Sequence, residues 1–209
     1  MTGLISRRLV LQLTAAGVAW AGRAAAAPTL PDDMTLGDPR AKVTVVEYAS
    51  ASCPHCARFN NNVFPQFRKK YVDTGKVHYV FREFLTQPVE VAAAGFLLAR
   101  CAGAAKYFDV LDAFFRGQEE MYRTGQAGKL IADVGAKAGL SGEQIQACLG
   151  DEAAADALNA RVARYAKDGV DSTPTFVING KKLAGLDHEV QLADLDGAIA
   201  PFLGKSGGG

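Results

Sequence analysis

The chain has 209 residues, 49% hydrophobic and 22% charged, a composition that supports a buried core and excludes an intrinsically disordered chain. Its 23 basic and 22 acidic residues leave a formal net charge of +1. This balance argues against charge-driven binding to nucleic acid or to a membrane surface, so a protein or small-molecule partner is expected.

The N-terminus has the pattern of an export signal. Arg7 and Arg8 precede an apolar stretch over residues 9–21, and an alanine-rich stretch ending at Ala27 follows. The apolar stretch is shorter than the ~20 residues that a membrane span needs, and the alanines offer a cleavage site. Residues 1–27 are therefore predicted to be a secretory signal peptide, which leaves a soluble mature chain. The arginine pair fits a twin-arginine signal and an ordinary one equally well.

The first part of the mature chain predicts a short leading strand, followed by a longer strand, a helix and a second long strand. A short strand and turn are expected around residues 34–37, and the continuous β-branched stretch 43–48 is typical of a strand buried on both faces. A helix is predicted from Pro54, because proline is tolerated in a first helical turn. Apolar residues follow it at helical spacing: Phe59, Val63, Phe67 and Tyr71. The second strand is predicted over residues 77–84.

The rest of the chain is first helical and then extended. Residues 88–167 show the spacing of four or five helices. Two strands are predicted at 175–178 and 181–184, joined by an Asn-Gly pair that favours a tight hairpin. A last helix is predicted over 189–202. A strand–helix–strand unit requires a parallel crossover and a hairpin adds antiparallel strands, so one mixed sheet with a helical insertion is expected.

The chemistry is concentrated in the segment formed by Cys53, Pro54, His55 and Cys56. A sulfur at a helix N-terminus faces unpaired N–H groups and the positive end of the helix dipole, which lowers a thiol pKa from about 8.5 to about 3.5–7.5. The His55 imidazole can donate a hydrogen bond or a positive charge to Cys53. A stable thiolate favours the reduced form, so the oxidised pair tends to donate its disulfide.

Two other functions of this segment stay open. The cysteine pair could be half of a zinc site, although the chain offers only His78 and His188 as further histidines and has no second such pair. It could also be a structural disulfide, although so small a ring constrains the unfolded chain little.

These residues resemble the DsbA family of periplasmic thiol–disulfide oxidoreductases. The resemblance runs from about Met34 to Leu203 and includes Cys-Pro-His-Cys at 53–56, the helical block, and Thr173-Pro174 before a hairpin. It implies the α/β class with a thioredoxin-like fold, in which helices flank a mixed sheet and a helical subdomain is inserted. The expected parts are a thioredoxin-like domain at 28–86 and 169–205, a helical insertion at 87–168 and a flexible tail at 206–209.

The resemblance also implies roles for individual residues. Cys53 would be the exposed nucleophile and Cys56 the buried resolving thiol, with Thr173-Pro174 forming a cis peptide opposite them. Glu47 would be a buried acid, with Lys76 as its basic partner, that relays a proton for Cys56; an ion pair at a strand edge without a role in proton transfer is the alternative. Thr173 stands where the classical oxidases have valine and isomerases often have threonine. A disulfide isomerase or a reductase therefore remains an alternative to an oxidase, and a metal-binding thiol protein is a third.

A second cysteine pair, Cys101 and Cys148, is expected to form a structural disulfide, as in some α-proteobacterial family members; a regulatory disulfide and two free thiols are the alternatives. No cofactor or metal is implied beyond the redox-active pair. The expected partners are reduced, unfolded exported proteins and a DsbB-like membrane reoxidant. The protein is expected to be a periplasmic monomer that binds no nucleic acid.

Overall fold

The computed structural model describes residues 29–204. The predicted signal peptide at 1–27 and the predicted tail at 206–209 lie outside these residues. Within 29–204, no helix combines the length and the apolar composition that crossing a bilayer requires.

Five strands and eight α-helices make up the described part of the chain. The strands are β1 Met34–Leu36, β2 Val43–Ala49, β3 Val77–Glu83, β4 Thr175–Ile178 and β5 Lys181–Lys182. The helices are α1 Pro54–Asn62, α2 Phe64–Phe67, α3 Val89–Cys101, α4 Tyr107–Thr124, α5 Ala127–Lys137, α6 Gly142–Leu149, α7 Glu152–Ala166 and α8 Leu192–Leu203.

The strands form one mixed sheet in the order β1-β3-β2-β4-β5. β2 and β3 are parallel, with Val43 opposite Val77, and the other neighbours are antiparallel. β2 and β3 are buried along their whole length, because helices cover both faces of the central strands. The predicted mixed sheet with a helical block of five helices, α3 to α7, is confirmed.

The helix predicted behind Cys53 is interrupted. α1 ends at Asn62 and α2 begins at Phe64, and residues 68–72 continue as a wider turn of π-helix. Pro65 lies in the first turn of α2, where its missing N–H removes a hydrogen bond that a continuous helix would make. The spacing of the apolar residues carries no sign of this break, because their side chains stay on the buried side.

The hairpin and the last helix are shorter than predicted. β5 has two residues instead of four, and α8 starts at Leu192 instead of residue 189. The turn between β4 and β5 uses Asn179 and Gly180, both with positive φ, as a tight hairpin requires. The Asn179 side chain also accepts a hydrogen bond from the backbone N–H of Thr44 at 2.8 Å, which ties the hairpin to β2.

The helical block is anchored to the sheet through Glu83 at the end of β3. This carboxylate is 1% exposed and accepts hydrogen bonds from Arg100 of α3 at 2.6 Å, Tyr107 of α4 at 2.9 Å and Arg161 of α7 at 2.7 Å. One buried side chain therefore joins three helices to the strand that leads into them.

Candidate active site

The first cysteine of the pair lies at the junction of β2 and α1. After β2 ends, a turn through Ser50 and Ser52 leads to Cys53, which caps α1 with an extended backbone. Pro54 occupies the first helical turn, as predicted, and the Cys53 sulfur accepts a hydrogen bond from the backbone N–H of Cys56 at 3.3 Å. Both cysteines are present as thiols.

Hydrogen bonds to the Cys53 sulfur favour its ionised form. The Cys56 thiol donates to it, and the Thr173 hydroxyl and backbone N–H groups of His55 and Cys56 act in the same direction. Together they outweigh burial and lower the pKa of Cys53 from 9.0 to about 6. Cys53 was expected to be exposed, but it is only 5% exposed, so this nucleophile is buried just below the surface.

The pKa values of Cys56 and of Glu47 are raised, in contrast to that of Cys53. Burial raises the pKa of the Cys56 thiol, which has no exposed surface. Burial also raises the pKa of Glu47 from 4.5 to about 8, although Tyr79 donates a hydrogen bond to its carboxylate at 2.5 Å. A carboxyl group with this pKa is mostly protonated at neutral pH. Glu47 forms part of the wall of a cavity of about 240 Å³ between α1, α2 and α4.

Lys76 is not the partner of Glu47. Lys76 is exposed just before β3, next to the pair formed by Val43 and Val77, whereas Glu47 lies opposite Phe81, four residues farther along β2. Four residues of a strand span about 13 Å, more than a lysine side chain can bridge. Tyr79, which the sequence does not single out, occupies the position expected of Lys76.

The turn before Cys53 is held from two sides. The hydroxyls of Ser50 and Ser52 bond to the backbone of Thr86, at 3.1 and 2.9 Å. From α4, Gln118 donates to the carbonyl of Ala51 and Tyr122 to the carbonyl of Ser52. None of these contacts was predicted, and all of them fix the backbone that leads into the nucleophile.

Helix α3 approaches this turn at a glycine. A Cβ atom added to Gly95 would lie 2.7 Å from the Cβ of Ala51, which is closer than such atoms pack. Because glycine has no Cβ atom, α3 can pack directly against the active-site turn at Gly95.

The second predicted segment faces Cys53. The Thr173–Pro174 peptide bond is cis, and the Thr173 carbonyl accepts a hydrogen bond from the Cys53 thiol at 3.3 Å. A groove of about 580 Å³ lies beside it, with Phe59 and Val63 on one wall and Leu186 on the other. Thr173 and Pro174 thus line the groove, and Thr173 also contacts Cys53.

His55 lines this groove, but its imidazole does not bond to the sulfur of Cys53. Its Nδ1 is 2.8 Å from Oε1 of Glu189, and Arg58 binds both oxygens of the same carboxylate at 2.5–3.0 Å. The hydrogen bond from the imidazole to the Cys53 sulfur that the sequence suggested is therefore replaced by a contact with Glu189. Neither Arg58 nor Glu189 was predicted.

The second cysteine pair lies in the helical block. A disulfide joins Cys101 at the end of α3 to Cys148 in α6. Among residues 29–204, no group of three or more histidine, cysteine, aspartate or glutamate side chains has the arrangement of a metal site.

Comparison with known proteins places the chain in a family. A family model described as Thioredoxin matches residues 29–200. Two proteins assigned as protein-disulfide oxidoreductases, from Rickettsia conorii and Rickettsia bellii, are 36% and 33% identical over 170 residues, or 80% of this chain. The chain spans 61% and 65% of the length of these relatives.

A solved structure has the same architecture. The crystal structure of alpha-DsbA1 from Wolbachia pipientis superposes with a TM-score of 0.74 and 30% identity, covering 85% of this chain and 94% of that protein. In this chain, Cys53 and Cys56 lie at the start of a helix opposite a cis-proline. The chain is a member of the thioredoxin-like proteins and, within them, of the DsbA family of thiol–disulfide oxidoreductases.

Proposed function

We propose that this protein is an exported disulfide oxidase that donates the Cys53–Cys56 disulfide to other proteins. The opposite pKa directions of the two thiols carry the proposal. Lowering the pKa of Cys53 from 9.0 to about 6 stabilises the reduced form at pH 7 by about 1.4 kcal/mol, or about 30 mV in reduction potential. The oxidised pair therefore tends to accept electrons from substrate thiols.

The exchange begins with a substrate thiolate. It attacks the sulfur of Cys53, the Cys53–Cys56 bond breaks, and the electron pair goes to the sulfur of Cys56. Because the pKa of this buried thiol is high, its sulfur takes up a proton. Glu47 interacts electrostatically with Cys56 and, being mostly protonated, is the proposed proton donor. A second substrate thiolate then attacks the substrate sulfur of the mixed disulfide, and Cys53 leaves as a stable thiolate. The substrate loses two electrons and the active site gains them.

The surroundings of Cys53 suit extended protein segments. The open groove beside Thr173 and Pro174 has an apolar wall and offers backbone groups to a strand-like substrate. Reduced, unfolded exported proteins are the proposed substrates in the periplasm. A DsbB-like membrane protein is the proposed reoxidant, and the protein is proposed to act as a monomer without nucleic acid.

The test is the redox equilibrium of the mature protein with glutathione. Alkylation followed by mass spectrometry reports Cys53–Cys56 and Cys101–Cys148 separately. We expect a Cys53–Cys56 potential above about −200 mV together with oxidation of a reduced model substrate. A potential near that of thioredoxin, about −270 mV, would indicate a reductase instead.

An isomerase is the second candidate, because Thr173 contacts Cys53 and its side chain contributes to the lowered pKa of that thiol. An isomerase would reactivate a substrate with scrambled disulfides faster than it oxidises a reduced one. Comparing the two rates on the same substrate distinguishes the activities, and stoichiometric Zn²⁺ binding that competes with a chelator would favour a metal-binding protein.

A further inference from the structure

Three side chains beside Cys53 form a closed triangle of polar contacts that the exchange reaction does not use. Oε1 of Glu189 is 2.8 Å from Nδ1 of His55 and 2.5 Å from Nη2 of Arg58, and these two nitrogens are 2.9 Å apart. His55 and Arg58 lie one turn apart on α1, whereas Glu189 belongs to the loop between β5 and α8. The triangle therefore bridges the two walls of the groove.

The contact with Glu189 determines where the His55 ring carries its proton. A bare Nδ1 could accept from Nη2 of Arg58 at 2.9 Å, but it would direct its lone pair at a carboxylate oxygen 2.8 Å away, which is repulsive. An Nδ1–H instead donates a charge-assisted hydrogen bond to this oxygen and shares it as acceptor with Nη2, so the contact between the two nitrogens is then not a hydrogen bond. We therefore assign the hydrogen to Nδ1. This leaves Nε2 as the free nitrogen of the neutral ring, and Nδ1 is not available to the sulfur of Cys53.

Glu189 also compensates the permanent charge of Arg58. Its two oxygens accept from Arg58 Nε at 2.7 and 3.0 Å, in addition to the contact with Nη2. The bond to Glu189 raises the pKa of Arg58, and the charge of the Cys53 thiolate contributes in the same direction, so the guanidinium is within electrostatic reach of the sulfur. The nearby Asp187 and His188 bond to each other instead. Cys53 thus faces an ion pair where it would otherwise face a cation.

We propose that Glu189 is a positioning residue that holds His55 and Arg58 in this triangle and so limits how strongly the reduced active site is stabilised. The proposal rests on the proposed oxidase function for its consequence, which is a milder oxidant that is easier to reoxidise. The electrostatic effect itself can be measured without any substrate.

The test is a pH titration of Cys53 in the variant Glu189→Gln. The ultraviolet absorbance of the thiolate reports the ionised fraction of Cys53 at each pH. The glutamine keeps the size of the side chain but frees Arg58 and His55. Arg58 then carries a positive charge that Glu189 no longer compensates, several ångströms from the sulfur of Cys53. We expect the pKa of Cys53 to fall by about half a unit. The glutathione equilibrium then shifts about threefold toward a stronger oxidant, equivalent to about 15 mV. Arg58→Gln should shift both quantities in the opposite direction.

A matched control separates positioning from simple repulsion by a negative charge. Asp187→Asn removes the same charge two residues away without touching the triangle, and we expect a clearly smaller effect on Cys53. In a chain already carrying His55→Gln and Arg58→Gln, Glu189→Gln should retain only the direct effect of the lost charge, which we expect to be as small as that of Asp187→Asn. An equal effect in that chain, or no effect of Glu189→Gln alone, would overturn the proposal.

Nitrogen NMR provides a second readout. The chain has three histidines, so the His55 ring is assigned by its loss in His55→Gln. We expect the proton on Nδ1 in the parent protein and a shift toward the Nε2 form in Glu189→Gln; a bare Nδ1 in the parent protein would contradict the proposal. If the protein proved not to be an oxidase, these two measurements would still decide whether Glu189 positions His55 and Arg58.

Discussion

Two buried glutamates, Glu47 and Glu83, are expected to respond in opposite ways to the same substitution. Glu47 is 3% exposed and has one neutral partner, the hydroxyl of Tyr79. Glu83 is 1% exposed and bonds to two arginines, Arg100 and Arg161. At Glu47, replacement by glutamine removes a carboxyl group that has to stay protonated in the folded protein. At Glu83, it removes the counter-charge of two guanidinium groups.

The magnitude for Glu47 follows from its pKa. Because burial raises this pKa from 4.5 to about 8, the folded protein binds more protons than the unfolded chain between these values, and stability falls as the pH rises through that window. Over the pH units between 4.5 and 7, the loss amounts to about 3 kcal/mol. Glu47→Gln does not titrate, and its amide oxygen can still accept from Tyr79. We therefore expect the variant to match the parent protein near pH 4 and to be about 3 kcal/mol more stable at pH 7.

Glu83→Gln should instead destabilise the protein at pH 7 by about 3 kcal/mol or more, because it leaves buried cations without a counter-charge. Urea unfolding of both variants at several pH values gives these free energies. The oxidised protein is used, so that Cys53 does not titrate in the same range. A free-energy difference for Glu47→Gln that stays constant from pH 4 to 8 would refute the argument that this carboxyl group is buried and protonated.

Further measurements address the cysteines and the turn before them. Titration of the reduced protein should give a pKa near 6 for Cys53. Thr173→Val should raise this pKa, because it removes a hydroxyl donor; an unchanged pKa would exclude a hydrogen bond from this hydroxyl to the sulfur. Replacing both Cys101 and Cys148 by serine should lower the free energy of unfolding by up to about 4 kcal/mol, because the disulfide closes a loop with a sequence separation of 47. If this disulfide is purely structural, the replacement should leave the pKa of Cys53 unchanged. Tyr122→Phe should cost about 1 kcal/mol of stability and speed hydrogen exchange at the adjacent turn; a neutral effect would show that its hydroxyl prefers water.

The fold was largely predictable because its elements have local signals. The β-branched stretch of β2, the proline at the start of α1 and the Asn-Gly turn each act over a few residues, and the structure places all of them as expected. The break in the helix after Asn62 was not predicted, although Pro65 lacks the N–H of a continuous helix. The helical spacing of the apolar residues continues through the proline and hides the break.

The partners of the site residues were not predictable, because they are distant in sequence. Glu189 is 134 residues from His55, and Tyr122 is 70 residues from Ser52. Pairing Glu47 with Lys76 failed for a related reason: which residues of two strands are neighbours depends on their register, and the sequence alone does not determine that register. Polar contacts across a fold depend on tertiary packing, for which a single sequence holds no local signal.

The separation between Cys53 and its partners has a consequence for synthesis. The Thr173 carbonyl and hydroxyl that meet this sulfur are made 120 residues after it, and α1, with nine residues, is shorter than the ~12–15 residues that an isolated helix needs to be stable in water. A growing chain that ends before Thr173 therefore lacks the part of the lowered pKa of Cys53 that Thr173 supplies. The full effect on this thiol requires the last hairpin to dock, so the reactivity of Cys53 is completed late in folding.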